Sequence, residues 1–143
     1  MPIAGYSLWS AAVTVLALFV YMYMIINVGI ARGKTGIDAP AMTGAPQLER
    51  AVRAHSNTLE AMPVFLVGLW LATLYFSPPF PLVAWLPAVL GLIWCIGRII
   101  YMQGYMAGPE KRSTGYMISA VPMLVNLILA IIGIVAAFMA VSA

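Results

Sequence analysis

The feature that most limits the fold of this chain is the length of its uncharged runs. No Asp, Glu, Lys or Arg occurs from Met1 to Ala31, from Ala61 to Gly97 or from Ser113 to Ala143. Because about 20 apolar residues cross a bilayer as a helix, the first and last runs each predict one span. The middle run is too long for one span, and the adjacent prolines of Ser77–Pro81 break it, since proline denies backbone donors. This run therefore predicts two further spans.

The sequence thus predicts an all-α integral membrane protein, a four-helix bundle forming one domain over residues 1–143, with helices at about 6–31, 47–76, 81–107 and 113–141. Only 8% of its residues are charged, against roughly 25% in soluble domains. The net charge of +3 does not indicate a nucleic-acid partner, because the seven basic residues lie beside membrane-length runs. The first run lacks a basic segment before it, which favours a retained helix over a cleaved signal peptide.

Six of the seven basic residues are predicted to lie on one side of the membrane: Arg32, Lys34, Arg50, Arg53, Lys111 and Arg112. Basic loops are enriched on the cytosolic side, so this side is predicted to be cytosolic and both termini non-cytosolic. A bacterial inner membrane and the endoplasmic reticulum fit equally well.

A polar stripe begins the second predicted helix. At roughly 100° per residue, its members fall within an arc of about 100°; they are Glu49, Arg50, Arg53, Asn57 and Glu60. The third predicted helix carries a second stripe, since Arg98, Tyr101 and Tyr105 lie within an arc of about 60°.

Arg98 lies deep in an apolar stretch, where a charge costs about 2.5–3.5 kcal/mol on insertion scales. We therefore expect Arg98 to face the bundle interior and to pair with Glu60. The two stripes have two interpretations. They either hold the two helices together or, because guanidinium and phenol donors outnumber Glu49 and Glu60, receive an anionic ligand with carboxylates. A metal site is not predicted, because one His and one Cys cannot assemble one.

Two motifs make the sequence resemble a known family. The first is Glu49-Arg50-x-x-Arg53-Ala-His55-x-Asn57-x-x-Glu60, followed by Pro63. The second is Arg98-Ile-Ile-Tyr101-Met-Gln103-Gly104-Tyr105, with Arg112 seven residues later. Together they resemble the MAPEG family, membrane-associated proteins of eicosanoid and glutathione metabolism. The pattern is nearest to its microsomal glutathione transferase and leukotriene C synthase branch.

The resemblance implies a homotrimer that binds glutathione between adjacent subunits near the cytosolic face. The positions that correspond to its glutathione-binding residues are Arg53, Asn57, Glu60, Tyr101 and Tyr105. Arg98 braces this site, Arg32 and Gln103 add contacts, and Arg112 corresponds to the catalytic arginine that holds the thiol as a thiolate. His55 lies on the opposite side of its helix, where it either reaches a neighbouring subunit's glutathione or has a purely structural role.

Two positions depart from the family pattern. Gly33 replaces a second consecutive arginine of leukotriene C synthase, so the Arg32 and Lys34 pattern is more similar to a general microsomal transferase. Ala61 replaces a tyrosine of several relatives, which removes one expected ligand contact.

The function that the resemblance implies is an enzyme, a glutathione transferase acting on lipophilic electrophiles or lipid hydroperoxides among the surrounding membrane lipids, with possible peroxidase or isomerase activity. The alternative is a non-catalytic lipid-binding or scaffold protein of the same fold, which would be expected to lose the glutathione motif. A transporter that uses Glu60 as its coupling carboxylate is disfavoured, because Glu60 follows a charged helix entrance.

Overall fold

The computed structural model describes residues 5–142 and consists of four long antiparallel helices. They are α1 (Gly5–Thr35), α2 (Pro46–Leu71), α3 (Leu86–Ala107) and α4 (Ser113–Ser142). A π-helical turn, Ala72–Phe76, extends α2, and short 3-10 turns at Pro81–Val83 and Pro109–Arg112 precede α3 and α4. Four segments are long and apolar enough to cross a membrane. The predicted all-α, four-helix integral membrane fold is confirmed.

The ends of the helices follow from glycine and proline. α1 continues four residues beyond the predicted residue 31, and Gly36 follows it with a positive φ of 66°. Its N–H donates to the carbonyl of Arg32 at 2.9 Å, an ending that glycine favours because it has no Cβ. α2 begins at Pro46, where a missing N–H removes no helical hydrogen bond. The regular part of α3 begins at Leu86, five residues after the predicted start, because Pro81–Val83 forms a separate 3-10 turn.

α3 and α4 are in direct backbone contact. A Cβ on Gly97 would lie 2.6 Å from the amide nitrogen of Ser119, and a Cβ on Gly115 would overlap the backbone of Tyr101. Small residues allow membrane helices to approach this closely. The contact fixes the register of the first turns of α4 against the last turns of α3.

The buried centre of the bundle joins α1, α2 and α3. Phe65 and Trp94 stack with ring centroids 3.8 Å apart and an interplanar angle of 6°. Met24 and Leu69 are fully buried in the same cluster, and so, at 1% exposure, is the free thiol of Cys95. Because this centre is closely packed with mostly apolar side chains, the polar contacts described next lie toward the two ends of the bundle.

We call the end that holds the turn between α2 and α3 the far end, and the opposite one the basic end. At the far end, polar side chains bind one another across helices. Ser10 and Thr73 hydroxyls are 2.7 Å apart, and the Trp70 indole N–H donates to the Thr14 hydroxyl at 3.2 Å. The Ser77 hydroxyl donates to the carbonyl of Ala84 at 2.8 Å.

Candidate functional site

Two neighbouring cavities open at the basic end. The outer cavity, of about 470 Å³, is lined by Met42, Thr43, Pro46, Glu49, Arg50, Val52, Arg53, Ser56, Tyr105 and Pro109. The inner cavity, of about 300 Å³, is lined by Asn57, Glu60, Ala61, Arg98, Tyr101, Tyr116 and Met123. The stripes on α2 and α3 therefore face each other across these two spaces.

A hydrogen bond connects the two stripes at the inner cavity. The Asn57 side-chain amide donates to the Tyr101 hydroxyl oxygen at 2.7 Å. Because this oxygen already accepts, the O–H of Tyr101 remains available to donate to another group. Tyr101 also contacts Tyr105 edge-to-face, with centroids 5.6 Å apart, so the tyrosine pair links the inner and outer cavities.

Arg98 is a buried cation that aromatic rings surround. Its side chain is only 2% exposed, and its guanidinium carbon lies 5.4 Å from the Trp94 ring centroid and 5.2 Å from that of Tyr101. These ring faces attract a cation. Its Nε is buried and has no hydrogen-bond partner among the described residues.

The predicted ion pair between Arg98 and Glu60 is wrong. Both residues line the inner cavity, but within residues 5–142 no oxygen of Glu60 lies within 4.0 Å of an Arg98 nitrogen. Glu60 is exposed, and the two side chains line the same cavity without forming an ion pair. The inner cavity therefore presents a carboxylate and a guanidinium that do not neutralise each other.

At the outer cavity, two side chains of α2 hold neighbouring parts of the chain by hydrogen bonds, and one arginine makes no ion pair. The Gly44 N–H donates to the Glu49 carboxylate at 3.0 Å, and Arg50 donates to the carbonyl of Met106 at 3.3 Å. These two residues of the α2 stripe therefore hold a loop and the end of α3. Arg53, in contrast, is exposed at the cavity wall with no ion pair in the described chain.

Arg112 lies beside the tyrosine pair. Its guanidinium carbon is 5.5 Å from the Tyr105 ring centroid, and it donates to the carbonyl of Pro109 at 3.0 Å. Tyr105 and Pro109 both line the outer cavity. The 3-10 turn before α4 thus brings Arg112 to the edge of this space.

Three other predicted site residues lie apart from both cavities. Arg32 donates to the carbonyls of Ile37 and Ala41, at 3.3 Å and 2.7 Å, and so fastens the loop after α1. His55 stacks on Tyr21 of α1, with centroids 4.9 Å apart. Gln103 lines a separate cavity of about 310 Å³ between α1 and α3.

Tyr116 and Met123 line the inner cavity, although neither was among the site residues predicted from the sequence. Tyr116 lies in the first turn of α4, four residues after Arg112, the last residue of the preceding 3-10 turn. This spacing could have indicated Tyr116 as a site residue. Because the helix breaks at Gly108-Pro109, however, the sequence does not tell how α4 is aligned with the polar stripe on α3.

The chain as a whole matches a known family. The sequence model of the MAPEG family matches residues 10–133. The chain belongs to the MAPEG family. The resemblance inferred from its motifs is therefore confirmed.

The relatives of this MAPEG chain include proteins of named activity. It is 36% identical to human microsomal glutathione S-transferase 2 over 136 residues, which cover 95% of this chain and 88% of that protein. It is 32% identical to bovine leukotriene C4 synthase over 129 residues, covering 90% and 82%. An uncharacterized protein of Synechocystis is 39% identical over 127 residues, covering 89% and 88%. The branch predicted from the motifs is confirmed.

Proposed function

We propose that this MAPEG protein is a membrane-bound glutathione transferase. It binds glutathione at the basic end, stabilises the thiolate of glutathione and delivers it to lipophilic electrophiles or lipid hydroperoxides. The observation that carries the proposal is the pair of unneutralised charges, Arg98 and Glu60, across the inner cavity. The named activities of the human and bovine relatives support it.

The chemistry of the two cavities fits the two ends of glutathione. The γ-glutamyl end carries an ammonium and a carboxylate on one carbon, and the inner cavity offers Glu60 for the former and Arg98 for the latter. Asn57 and Tyr101 bind the adjoining polar atoms. Arg53, at the outer cavity, receives the remaining carboxylate, since a guanidinium binds carboxylates in a bidentate fork.

Arg112 is the proposed catalytic residue. A neighbouring cation lowers the free energy of a thiolate relative to its thiol, and the thiolate is the nucleophile. The sulfur attacks an electrophilic carbon, a C–S bond forms, and the displaced group leaves with the electron pair. With a hydroperoxide, the sulfur attacks the terminal oxygen, an S–O bond forms while the O–O bond breaks, and the alkoxide takes a proton to give an alcohol. The glutathione sulfenic acid then reacts with a second glutathione, which gives glutathione disulfide and water. This second use is a peroxidase activity, and an isomerase activity would use the same thiolate.

We further propose that the site is shared in a homotrimer whose basic end faces the cytosol and whose termini face away. Arg32, His55 and Gln103 lie apart from both cavities within one chain. An adjacent subunit that supplied them would complete the set of glutathione-binding residues, while the hydrophobic co-substrate enters from the surrounding membrane lipids.

The test is a titration of the detergent-solubilised protein with glutathione, followed by the ultraviolet absorbance of the thiolate. The wild type and Lys111→Ala are expected to give saturable thiolate formation. Arg112→Ala is expected to bind glutathione but to hold at least about tenfold less of it as thiolate. Loss of the neighbouring cation is expected to raise the pKa of the bound glutathione thiol by at least about one unit, which corresponds to about 1.36 kcal/mol. Lys111 is the matched control, because it is also an exposed cation of the Pro109–Arg112 turn.

Two results would contradict the proposal in different ways. If the wild type bound glutathione without forming thiolate, the role of Arg112 would be wrong and a non-catalytic lipid-binding or scaffold protein would be favoured. If the wild type did not bind glutathione, the whole assignment of the two cavities would fail.

A further inference from the structure

The 3-10 turn Pro109–Arg112 lies directly against the backbone of α3. A Cβ on Gly104 of α3 would lie 2.6 Å from the carbonyl oxygen of Lys111 and 3.5 Å from the Cα of Arg112. Both of these are backbone atoms of the turn, so the contact does not depend on the Lys111 side chain. Every residue other than glycine has a Cβ, and any substitution at position 104 would therefore force the two segments apart.

Two hydrogen bonds and a ring contact complete this arrangement. The Gly108 N–H donates to the carbonyl of Gly104 at 2.9 Å, which closes the end of α3. Arg112 donates to the carbonyl of Pro109 at 3.0 Å, within the turn. Its guanidinium carbon lies 5.5 Å from the Tyr105 ring centroid. The place of the proposed catalytic cation is thus set by the place of the turn.

The turn is the segment that would move if position 104 carried a side chain. All four residues of Pro109–Arg112 are exposed. The end of α3 is held to α2, because Arg50 donates to the carbonyl of Met106 at 3.3 Å. The start of α4 is held as well, because Gly115 packs against the backbone of α3. A displacement would therefore be concentrated in the turn.

Close packing at a glycine also has an ordinary explanation, because small residues let membrane helices and their connections approach one another. On that explanation, a side chain at position 104 would lower stability and leave the chemistry of the site unchanged. The identity of the displaced residue favours a functional role. The Cα of Arg112 is among the three atoms nearest to the added Cβ, and Arg112 is the residue proposed to stabilise the thiolate.

The expected displacement is large enough to affect catalysis. Because an ordinary contact between carbon and oxygen is about 3.3 Å or longer, the turn would move by about 0.7 Å. A misplacement of about 1 Å can lower a catalysed rate by about a hundredfold. The groups proposed to bind the rest of glutathione, at the inner cavity and at Arg53, do not belong to the turn.

We propose that Gly104 is a positioning residue for thiolate formation. Because it has no side chain, the turn lies against α3, and the Arg112 guanidinium is held beside Tyr105 at the edge of the outer cavity. This inference rests on the proposed function. Gly104 acts on the ionisation of the bound thiol, and it does not act on recognition of the rest of the tripeptide.

The experiment follows thiolate absorbance against pH at saturating glutathione in the wild type, Gly104→Ala and Gly133→Ala. Gly104→Ala is expected to raise the pKa of the bound glutathione thiol by about one unit, which leaves about tenfold less thiolate below that pKa. Gly133 is the matched control, because its added Cβ would overlap the backbone of Phe76 at the far end. Gly133→Ala is expected to lose stability and to keep the wild-type pKa of the bound thiol.

Two further measurements distinguish positioning from damage to the site. The dissociation constant of γ-glutamyl-2-aminobutyryl-glycine, in which a methyl group replaces the thiol, is expected to be equal in Gly104→Ala and the wild type. The double variant with Arg112→Ala is expected to have the same thiol pKa as Arg112→Ala alone. The two effects are not additive because Gly104 acts only through Arg112.

A second variant serves if Gly104→Ala does not fold. Pro109→Gly frees the φ angle that the proline ring fixes in the exposed turn. It is expected to raise the thiol pKa in the same direction and by less, again without effect in the Arg112→Ala background. An unchanged thiol pKa in folded Pro109→Gly would contradict the inference.

Four outcomes of the main experiment would overturn the inference. They are an unchanged thiol pKa in folded Gly104→Ala, an equal rise of the thiol pKa in Gly133→Ala, weaker binding of the thiol-free analogue by Gly104→Ala, and additive effects of Gly104→Ala and Arg112→Ala. If the wild type bound no glutathione or formed no thiolate, the proposed function itself would be refuted, which none of these four outcomes implies.

Discussion

At the far end of the bundle, the hydroxyls of Ser10 and Thr73 bind each other, and the Trp70 indole binds Thr14. At the basic end, the buried Nε of Arg98 has no such partner among the described residues. Buried polar groups are nearly always hydrogen-bonded in proteins, so the difference is informative. Polar groups that satisfy one another join helices, whereas polar groups that converge on a cavity without partners are suited to a ligand.

The largest effect on stability is expected from adding a Cβ to a closely packed glycine at either end of the bundle. Gly115→Ala would overlap the backbone of Tyr101, and Gly133→Ala would overlap that of Phe76. Each is expected to lower the free energy of unfolding by about 3 kcal/mol, because backbone atoms must move apart. Thermal unfolding in detergent measures this loss, and Gly29→Ala is the control, since nothing lies within 4 Å of its added Cβ.

Only the substitution at the basic end should also change ligand binding. Gly115→Ala displaces Tyr101 and is expected to abolish glutathione binding by the protein that remains folded. Gly133→Ala is expected to leave the dissociation constant unchanged. Equal loss of binding in both variants would mean that the two ends are not functionally distinct.

Arg98→Met is expected to have a smaller effect on the free energy of unfolding than the glycine substitutions, and to raise it where they lower it. Removing a buried cation recovers its insertion cost, although the contacts with Trp94 and Tyr101 are lost. We expect the free energy of unfolding to rise by about 1 kcal/mol while glutathione affinity falls at least about a hundredfold, as for a broken charge-assisted contact. A destabilised variant that still bound glutathione would show that Arg98 has a structural role.

The smallest effect is expected at the far end. A double-mutant cycle of Ser10→Ala and Thr73→Val should give a coupling free energy of about 0.6 kcal/mol, the average for such hydrogen bonds in membranes. The glutathione dissociation constant should be the same in all four proteins. A change in affinity along this cycle would show that the two ends of the bundle are coupled.

Much of the fold could be predicted because its determinants are local in sequence. Charge-free runs define the four spans, and Ser77–Pro81 marks the turn between α2 and α3. The π-helical turn Ala72–Phe76 could not be predicted, because none of its residues distinguishes i to i+5 from i to i+4 hydrogen bonding.

The site was less predictable because it depends on the register between helices. Helical spacing placed Asn57 and Glu60 on one face, and Arg98 and Tyr101 on another. Spacing within one helix cannot give the distance across a cavity, so it suggested an ion pair where Arg98 and Glu60 are separated. Tyr116 enters the site only through the backbone contact at Gly115, which involves two helices at once.

The contacts at Gly97 and Gly115 leave no side chain between α3 and α4, so neither helix can tilt against the other without overlap. The backbones that carry Tyr101, Tyr105 and Tyr116 are therefore held in a fixed register against one another. We therefore expect glutathione bound at the proposed site to leave by motion of α2 or of residues 36–45, which Arg32 fastens through two carbonyls. Substitutions in residues 36–45 should therefore change the dissociation rate of a bound ligand far more than the specificity for that ligand.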